Sequence, residues 1–369
     1  MSGMNISREL VPLHIQELIP YKAGKTIEEV MEVYQPKRIS KLASNENRLG
    51  FSELALAKAR ESLSMMMNYP DPRVLELRKA IAAKHDISID NVICGSGSEG
   101  VMSMIIRTFF CDDEEAITAD ATFIGFRVLA QARGIKVKTV PLTDDYRFDL
   151  QAMVKSITSK TKLIYIANPN NPTGTYVTKA EFESFIEQVP DHILVIMDEA
   201  YVEFTDGLSD FPDSMHYRLD NVITLRTFSK AYGLAGLRLG YGMAHGDLIH
   251  HLLKVKPPFE PSMPAQAAGL GALEDQDFLH SYIDMINEGR QKLYELCDEY
   301  HLNYIPSYSN SVVILFDSAE QASQFTFKML QCGVILRQLP AFGIPEGVRV
   351  TIGNIEEMKH FSESLSKMV

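Results

Sequence analysis

Short apolar runs that do not alternate with polar residues are the clearest pattern in this chain. "LIYIA" (163–167) and "ILVIM" (193–197) are apolar at every position. Such runs read as strands covered on both faces, as in a parallel sheet flanked by helices. "NVICGSGSEGVMSMIIRTFF" (91–110) reads as a brief strand, a Gly/Ser turn and a helix, and "NVITLRTFSKAYG" (221–233) as a strand running into a loop. Strand–helix alternation from about residue 90 to 250 predicts an open, mostly parallel α/β sheet. After "KVKPPFEPSMP" (254–264) the texture changes to helix, strands and a final helix, which predicts a smaller α+β unit. The opening segment mixes polar and apolar positions around prolines 12, 20 and 36 and reads as an arm. The expected division is an arm over 1–45 joined to the smaller domain, a large domain over 46–256 and a small C-terminal domain over 257–369.

Charge narrows the possible partners. With 36 basic and 48 acidic residues the formal net charge is -12, which argues against a nucleic-acid surface or a polybasic membrane contact. An anionic ligand must then be held by local cations against the mean field. Cys94, Cys111, Cys297 and Cys332 are scattered without a CxxC pair, which suits reduced thiols better than disulfides or a metal site. The first twenty residues have no basic segment followed by a long apolar stretch. No signal peptide, no membrane span and a cytoplasmic location are expected.

In open α/β sheets, polar groups at the carboxyl ends of strands converge on a ligand crevice. Four strand ends or turns here carry such groups. "GSGSEG" (95–100) feeds a helix whose free N–H groups and dipole suit a phosphate; the plain alternative is a turn with Ser98 as N-cap. "NPNNPTG" (168–174) is a rigid turn in which asparagine amides can face a ligand. In "MDEAY" (197–201), Asp198 follows a buried run, where an unpaired carboxylate is costly. "TFSKAYGLAGLRLG" (227–240) sets a Ser-Lys pair among glycines, with an arginine eight residues after the lysine.

Together these strings resemble the signature of the fold-type I, pyridoxal-phosphate-dependent aminotransferases, over nearly the whole chain from "PYKAGK" to "VRVTIG". Within that family "PYKAGK", "KLASNEN", "NYPDP" and the spacing of two late arginines are most similar to the histidinol-phosphate aminotransferases. The resemblance implies pyridoxal 5'-phosphate as cofactor. Lys230 is then the amine that joins the cofactor's aldehyde and later shuttles a proton. Asp198 faces the pyridine nitrogen, and Asn171 and Tyr201 hydrogen-bond the ring's phenolic oxygen. Ser229, Arg238 and the N–H groups of Ser98 and Glu99 hold the phosphate, and Phe123 stacks on the ring. Glycines 233, 236 and 240 let the chain loop back, so that Lys230 and Arg238 grip one cofactor.

Tyr69 would reach the phosphate of a neighbouring subunit, which implies a homodimer with shared active sites. On the substrate side Arg349, Arg337, Tyr21 and Asn47 match positions at an anion pocket; Asn47 reads equally as a turn residue. The implied reaction moves an amino group between histidinol phosphate and 2-oxoglutarate, giving imidazole-acetol phosphate and glutamate in histidine biosynthesis. Two readings of the same site stay open: transamination of aromatic amino acids, and decarboxylation of an amino-acid phosphate. Three departures from the family pattern stand out: Gly100 after Glu99, Phe123 where many relatives carry Tyr, and Glu260 in "FEPSMP".

Overall fold

The computed structural model describes residues 10–19 and 24–368. Strands are numbered in chain order. Seven form one sheet: β2 (Val92–Ser96), β3 (Glu115–Ala119), β4 (Lys136–Val140), β5 (Thr161–Ala167), β6 (Leu194–Asp198), β7 (Val222–Thr227) and β8 (Leu239–Met243). Their spatial order is β2-β8-β7-β6-β5-β3-β4. The runs "LIYIA" and "ILVIM" become β5 and β6, parallel neighbours at the centre, and β6 is buried at every position. Burial on both faces is what non-alternating apolar sequence requires.

β8 is the exception to the parallel rule, antiparallel to both β7 and β2. The reason lies in the link that precedes it. A parallel return needs a crossover of a dozen or more residues, usually through a helix. Residues 228–238 are too few and contain only a short 3-10 turn at Ala235–Leu237. The chain therefore turns back beside the strand it has just left. That short return carries Lys230 and Arg238 to the same end of the sheet.

A second sheet of four antiparallel strands has the order β12 (Arg337–Leu339), β13 (Ile344–Thr351), β10 (Ser311–Leu315), β9 (Asn303–Ile305). The helices Gln276–Glu299, Ala319–Gln331 and Ile355–Leu365 belong to this half of the chain. The N-terminal segment joins it through β1 (Ser40–Lys41), which pairs in parallel with β11 (Val334–Ile335). Helix Met263–Glu274 packs instead on helix Glu53–Ser62, so closely that a Cβ on Gly271 would lie 2.7 Å from the Ala55 Cα. Among the described residues no helix is long and apolar enough to cross a membrane.

Candidate active site

The carboxyl ends of β5, β6 and β7 open onto one pocket. Its wall includes Glu99, Phe123, Asn171, Asp198, Tyr201, Ser229, Lys230 and Arg238, with Ala167, Pro169, Ala200 and Thr227 between them. Eight of the residues singled out in the sequence thus meet in a single cavity.

The turn after β5 shows how one asparagine is chosen from three. Asn168 accepts the Val177 N–H at 2.9 Å. Asn170 donates to the Ala121 carbonyl at 3.0 Å and accepts from the Thr122 hydroxyl at 2.8 Å. Those two amides brace the turn. Asn171 is left facing the pocket, where its Oδ1 accepts from Arg349 Nη1.

Asp198, the last residue of β6, is 4% exposed. Its Oδ2 accepts a hydrogen bond from the Tyr165 hydroxyl at 2.7 Å. Its Oδ1 is buried and has no hydrogen-bonding partner among the described residues. Burial pushes the carboxyl up to about 6, against the Tyr165 hydroxyl, the Ala200 N–H and the Lys230 amine, while Glu99 adds to the rise. A buried carboxylate oxygen without a donor is unfavourable unless something else supplies one.

Lys230 Nζ lies 5.8 Å from the Tyr201 ring centroid and 3.5 Å from the Ser44 carbonyl oxygen. Arg238 donates from Nη1 to Ser229 Oγ at 3.4 Å and lies 3.7 Å from Glu99 Oε2. These three groups gather at the start of helix Gly97–Phe109. Ser96, not Ser98, holds the N-cap position, and its hydroxyl donates to Glu260 Oε2 at 2.9 Å instead of capping the helix. The first N–H groups of that helix are therefore not capped by a side chain. A Cβ on Gly240 would lie 2.2 Å from the Ser98 nitrogen, so only glycine lets β8 approach this turn. Gly233 is under a similar constraint, at φ +73 and against the Gly50 carbonyl, whereas nothing lies within 4 Å of a Cβ on Gly236. Two of the three glycines are thus required by geometry. Phe123 precedes helix Ile124–Ala132, and its ring would stand 2.5 Å from a Cβ on Gly125.

The remaining predicted residues do not line this pocket, although Arg349 reaches its edge through Asn171. Arg337 and Arg349 are directly paired across β12 and β13, so their side chains share one face, and both stand over the Phe342 ring at 5.8 and 5.6 Å. Arg349 also donates to the Ala43 carbonyl at 2.9 Å. Asn47 is engaged within its own turn, accepting from the Leu49 and Gly50 N–H groups, and donates to the Ala231 carbonyl at 2.9 Å. Tyr69 does not line the pocket of its own chain. It is 77% exposed and stacks on Phe259 at 4.1 Å. Tyr21 lies outside the described residues. Tyr165 and Asn45 reach the site without having been marked in the sequence. A tyrosine on a strand buried on both faces, and an asparagine in "KLASNEN", were the available signals.

The donor set fits pyridoxal phosphate: uncapped helix N–H groups with Ser229 and Arg238 for a phosphate, an unpartnered buried carboxylate oxygen for a cationic ring N–H, and an amine within the same cavity. Comparison with known proteins agrees. The family described as "Aminotransferase class I and II" matches residues 37–365. The chain is 39% identical to the histidinol-phosphate aminotransferase of Anaeromyxobacter sp., over 98% of this chain and 99% of that one. It is 40% identical to the enzyme of the same name from Anoxybacillus flavithermus, over 97% and 96%. The crystal structure of histidinol-phosphate aminotransferase from Sinorhizobium meliloti in complex with pyridoxal-5'-phosphate superposes with a TM-score of 0.88 over the full length of both chains, at 26% identity. With likeness of this extent from end to end, the chain belongs to the class I and II aminotransferases, in their histidinol-phosphate branch.

Proposed function

We propose that this chain is a cytoplasmic, homodimeric transaminase using pyridoxal 5'-phosphate to pass the amino group of L-histidinol phosphate to 2-oxoglutarate. The products are imidazole-acetol phosphate and glutamate, in histidine biosynthesis. The observation that carries the chemistry is the open Oδ1 of Asp198 in the cavity that also holds Lys230. Bound there, the cofactor supplies an aldehyde that takes up amino groups and a ring that accepts electrons from a breaking bond.

The protein's own residues do the rest. Asp198 Oδ1 accepts the ring N–H and keeps the ring cationic. Asn171 and the Tyr201 hydroxyl donate to the ring oxygen, and Phe123 covers one face. Ser229, Arg238 and the N–H groups of Ser98 and Glu99 hold the phosphate, as expected at a helix N-terminus. Lys230 Nζ would take the proton from the substrate carbon that carries nitrogen and pass it to the cofactor's aldehyde carbon, and would move a proton the opposite way when the oxo acid is aminated. Arg337 and Arg349 take the substrate anion: the phosphate of histidinol phosphate in one half-reaction, a carboxylate of the oxo acid in the other. Two guanidinium groups on one face suit both, in a molecule whose net charge of -12 would otherwise repel them.

Support for the dimer comes from an exposed apolar stripe. Leu63, Met65, Met66, Met67, Tyr69 and Phe259 are all exposed and lie together in sequence or, for Phe259, in contact with Tyr69. Such a patch marks an association surface. From it, Tyr69 of a second copy would reach the phosphate.

The visible spectrum provides the test. Loaded enzyme should absorb in the visible, bleach on adding histidinol phosphate and recover with 2-oxoglutarate. Lys230→Ala should lose this cycle while retaining cofactor non-covalently. A kcat/KM for phenylalanine more than about tenfold above that for histidinol phosphate, roughly 1.4 kcal/mol of transition-state binding, would overturn the substrate assignment.

A further inference from the structure

Residues 43–45 leave β1 and cross beside the pocket, and each touches a different site residue. The Ala43 carbonyl accepts from Arg349, the Ser44 carbonyl faces Lys230 Nζ, and Asn45 Nδ2 donates to the Tyr201 hydroxyl at 3.0 Å. Asn45 is 2% exposed and adopts a left-handed backbone, φ +54, a conformation that asparagine tolerates better than most residues.

All the hydrogen-bonding groups of Asn45 are engaged. Its N–H donates to Thr351 Oγ1 at 3.0 Å, and its carbonyl accepts from Asn310 Nδ2 at 3.0 Å. Its Oδ1 accepts from the Thr351 hydroxyl at 3.1 Å. Its Nδ2 donates to Ser311 Oγ at 3.1 Å as well as to Tyr201. Thr351 fixes which way the amide points. It is 1% exposed, and its oxygen already accepts the Asn45 N–H. A flipped amide would set a second donor against that oxygen and strand the Thr351 proton in a buried place.

With Nδ2 donating to it, the Tyr201 oxygen is an acceptor on the Asn45 side. Its single proton must then be directed elsewhere, and Tyr201 lines the pocket. We infer that Asn45 is a positioning residue: it aims the Tyr201 O–H into the pocket and strengthens it as a donor to the ring oxygen of the bound cofactor. A hydroxyl that accepts one hydrogen bond donates a second more strongly. The anchors of Asn45, Thr351 on β13 and Ser311 on β10, belong to the four-stranded sheet, whereas Tyr201 follows β6 of the large one. The direction of one proton in the pocket is thereby set from the opposite sheet. The inference rests on the proposed placement of Tyr201 against the ring.

The test is a spectroscopic pH titration of the loaded enzyme's visible band, which reads the ionisation of the Lys230–cofactor unit, alongside cofactor affinity and unfolding temperature. Asn45→Ala removes the donor, and Asn45→Asp reverses it so that the Tyr201 proton turns toward residue 45. Both should raise the midpoint by about one pH unit, a tenfold change in the ionisation constant, as expected for one lost hydrogen bond. Tyr201→Phe should raise it similarly, and in that background the Asn45 substitutions should add nothing. A residue that merely stabilised the fold would lower the unfolding temperature in both backgrounds without this coupling.

Should the Asn45 variants fail to fold, Thr351→Val should give a smaller shift in the same direction and Thr351→Ser none. A midpoint unmoved in folded Asn45 variants, or moved equally with and without the Tyr201 hydroxyl, overturns the inference and leaves the proposed reaction standing. A midpoint unmoved by Tyr201→Phe overturns the placement of Tyr201 and the inference with it.

Discussion

Asp198 and Glu199 are adjacent carboxylates at the end of one strand, both buried, yet their surroundings differ in a way that separates chemistry from architecture. Glu199 is fully satisfied. Its Oε2 accepts from Arg226 Nε at 3.1 Å and Nη2 at 2.8 Å, and its Oε1 accepts from the Ser214 N–H at 2.8 Å and hydroxyl at 2.6 Å. Asp198 has Tyr165 on one oxygen and, among the described residues, no hydrogen-bonding partner on the other. Strand alternation sends the two to opposite sides of the sheet. A carboxylate with every lone pair engaged can do little but hold the fold together, whereas one with an oxygen left open is poised for a ligand.

The sharpest way to break this contrast is to neutralise each acid in turn. Asp198→Asn keeps the shape and removes the charge that holds a ring N–H. Turnover should fall by at least about 10³-fold, some 4 kcal/mol of transition-state stabilisation. The empty protein should unfold no more easily than wild type, because the lost group is a carboxylate already pushed up to about 6 by burial. Steady-state kinetics and thermal unfolding of cofactor-free protein read the two halves. A variant that keeps its turnover, or one that fails to fold, would erase the distinction.

Glu199→Gln should do the reverse. It leaves Arg226, 6% exposed, without the charged oxygen that accepts two of its N–H groups. Removing one member of a buried ion pair costs 3–5 kcal/mol as a rule. The loss here should fall near the lower figure, about 3 kcal/mol, because Asp213 Oδ1 remains 2.8 Å from Arg226 Nη2. Urea unfolding measures it. Any change in kcat should be small in protein that is still folded and loaded, because Glu199 lies outside the pocket.

Much of this was legible in the chain because a strand buried on both faces admits few polar residues. Those that close the runs at 167–174 and 197–201 therefore stand out, and the glycine-rich return at 228–240 marks where the chain must bend sharply. What could not be read was partnership. Nothing in "DEAY" says which acid meets Arg226, when the chain offers 48 acidic residues as candidates. Tyr165 sits in an apolar run and looks like core; only the register that sets Ala167 beside Asp198 brings its hydroxyl to that carboxylate. Asn45 and Asn47 are indistinguishable as letters. Asn47 serves its own turn, whereas Asn45 is held by Thr351 and Ser311 of the four-stranded sheet, a long-range fact that local pattern does not carry.

A third acid in the same segment sharpens the rule that an open carboxylate signals chemistry. Glu203 Oε2 is also buried without a partner among the described residues, but it borders a different cavity, lined by Lys84, Arg226 and Tyr232 among others. Burial pushes its carboxyl up from 4.5 to about 7, with Arg226 the main opposing influence. An acid with a raised folded-state value holds its proton longer when folded, so its contribution to stability is complete below about pH 4.5 and is lost as the pH rises through 7. Glu203→Gln should therefore match wild type in stability near pH 4.5 and exceed it by about 1–2 kcal/mol at pH 8, the shift being discounted because the residue is partly exposed. Urea unfolding at the two pH values provides the comparison, and turnover at pH 8 should be unaltered. A wild type that is the more stable at pH 8 would mean that Lys84 or Arg226 satisfies Glu203 after all. A collapse in turnover would mean that the cavity beyond the sheet takes part in the reaction, and an unpartnered oxygen would then point to function on both faces rather than one.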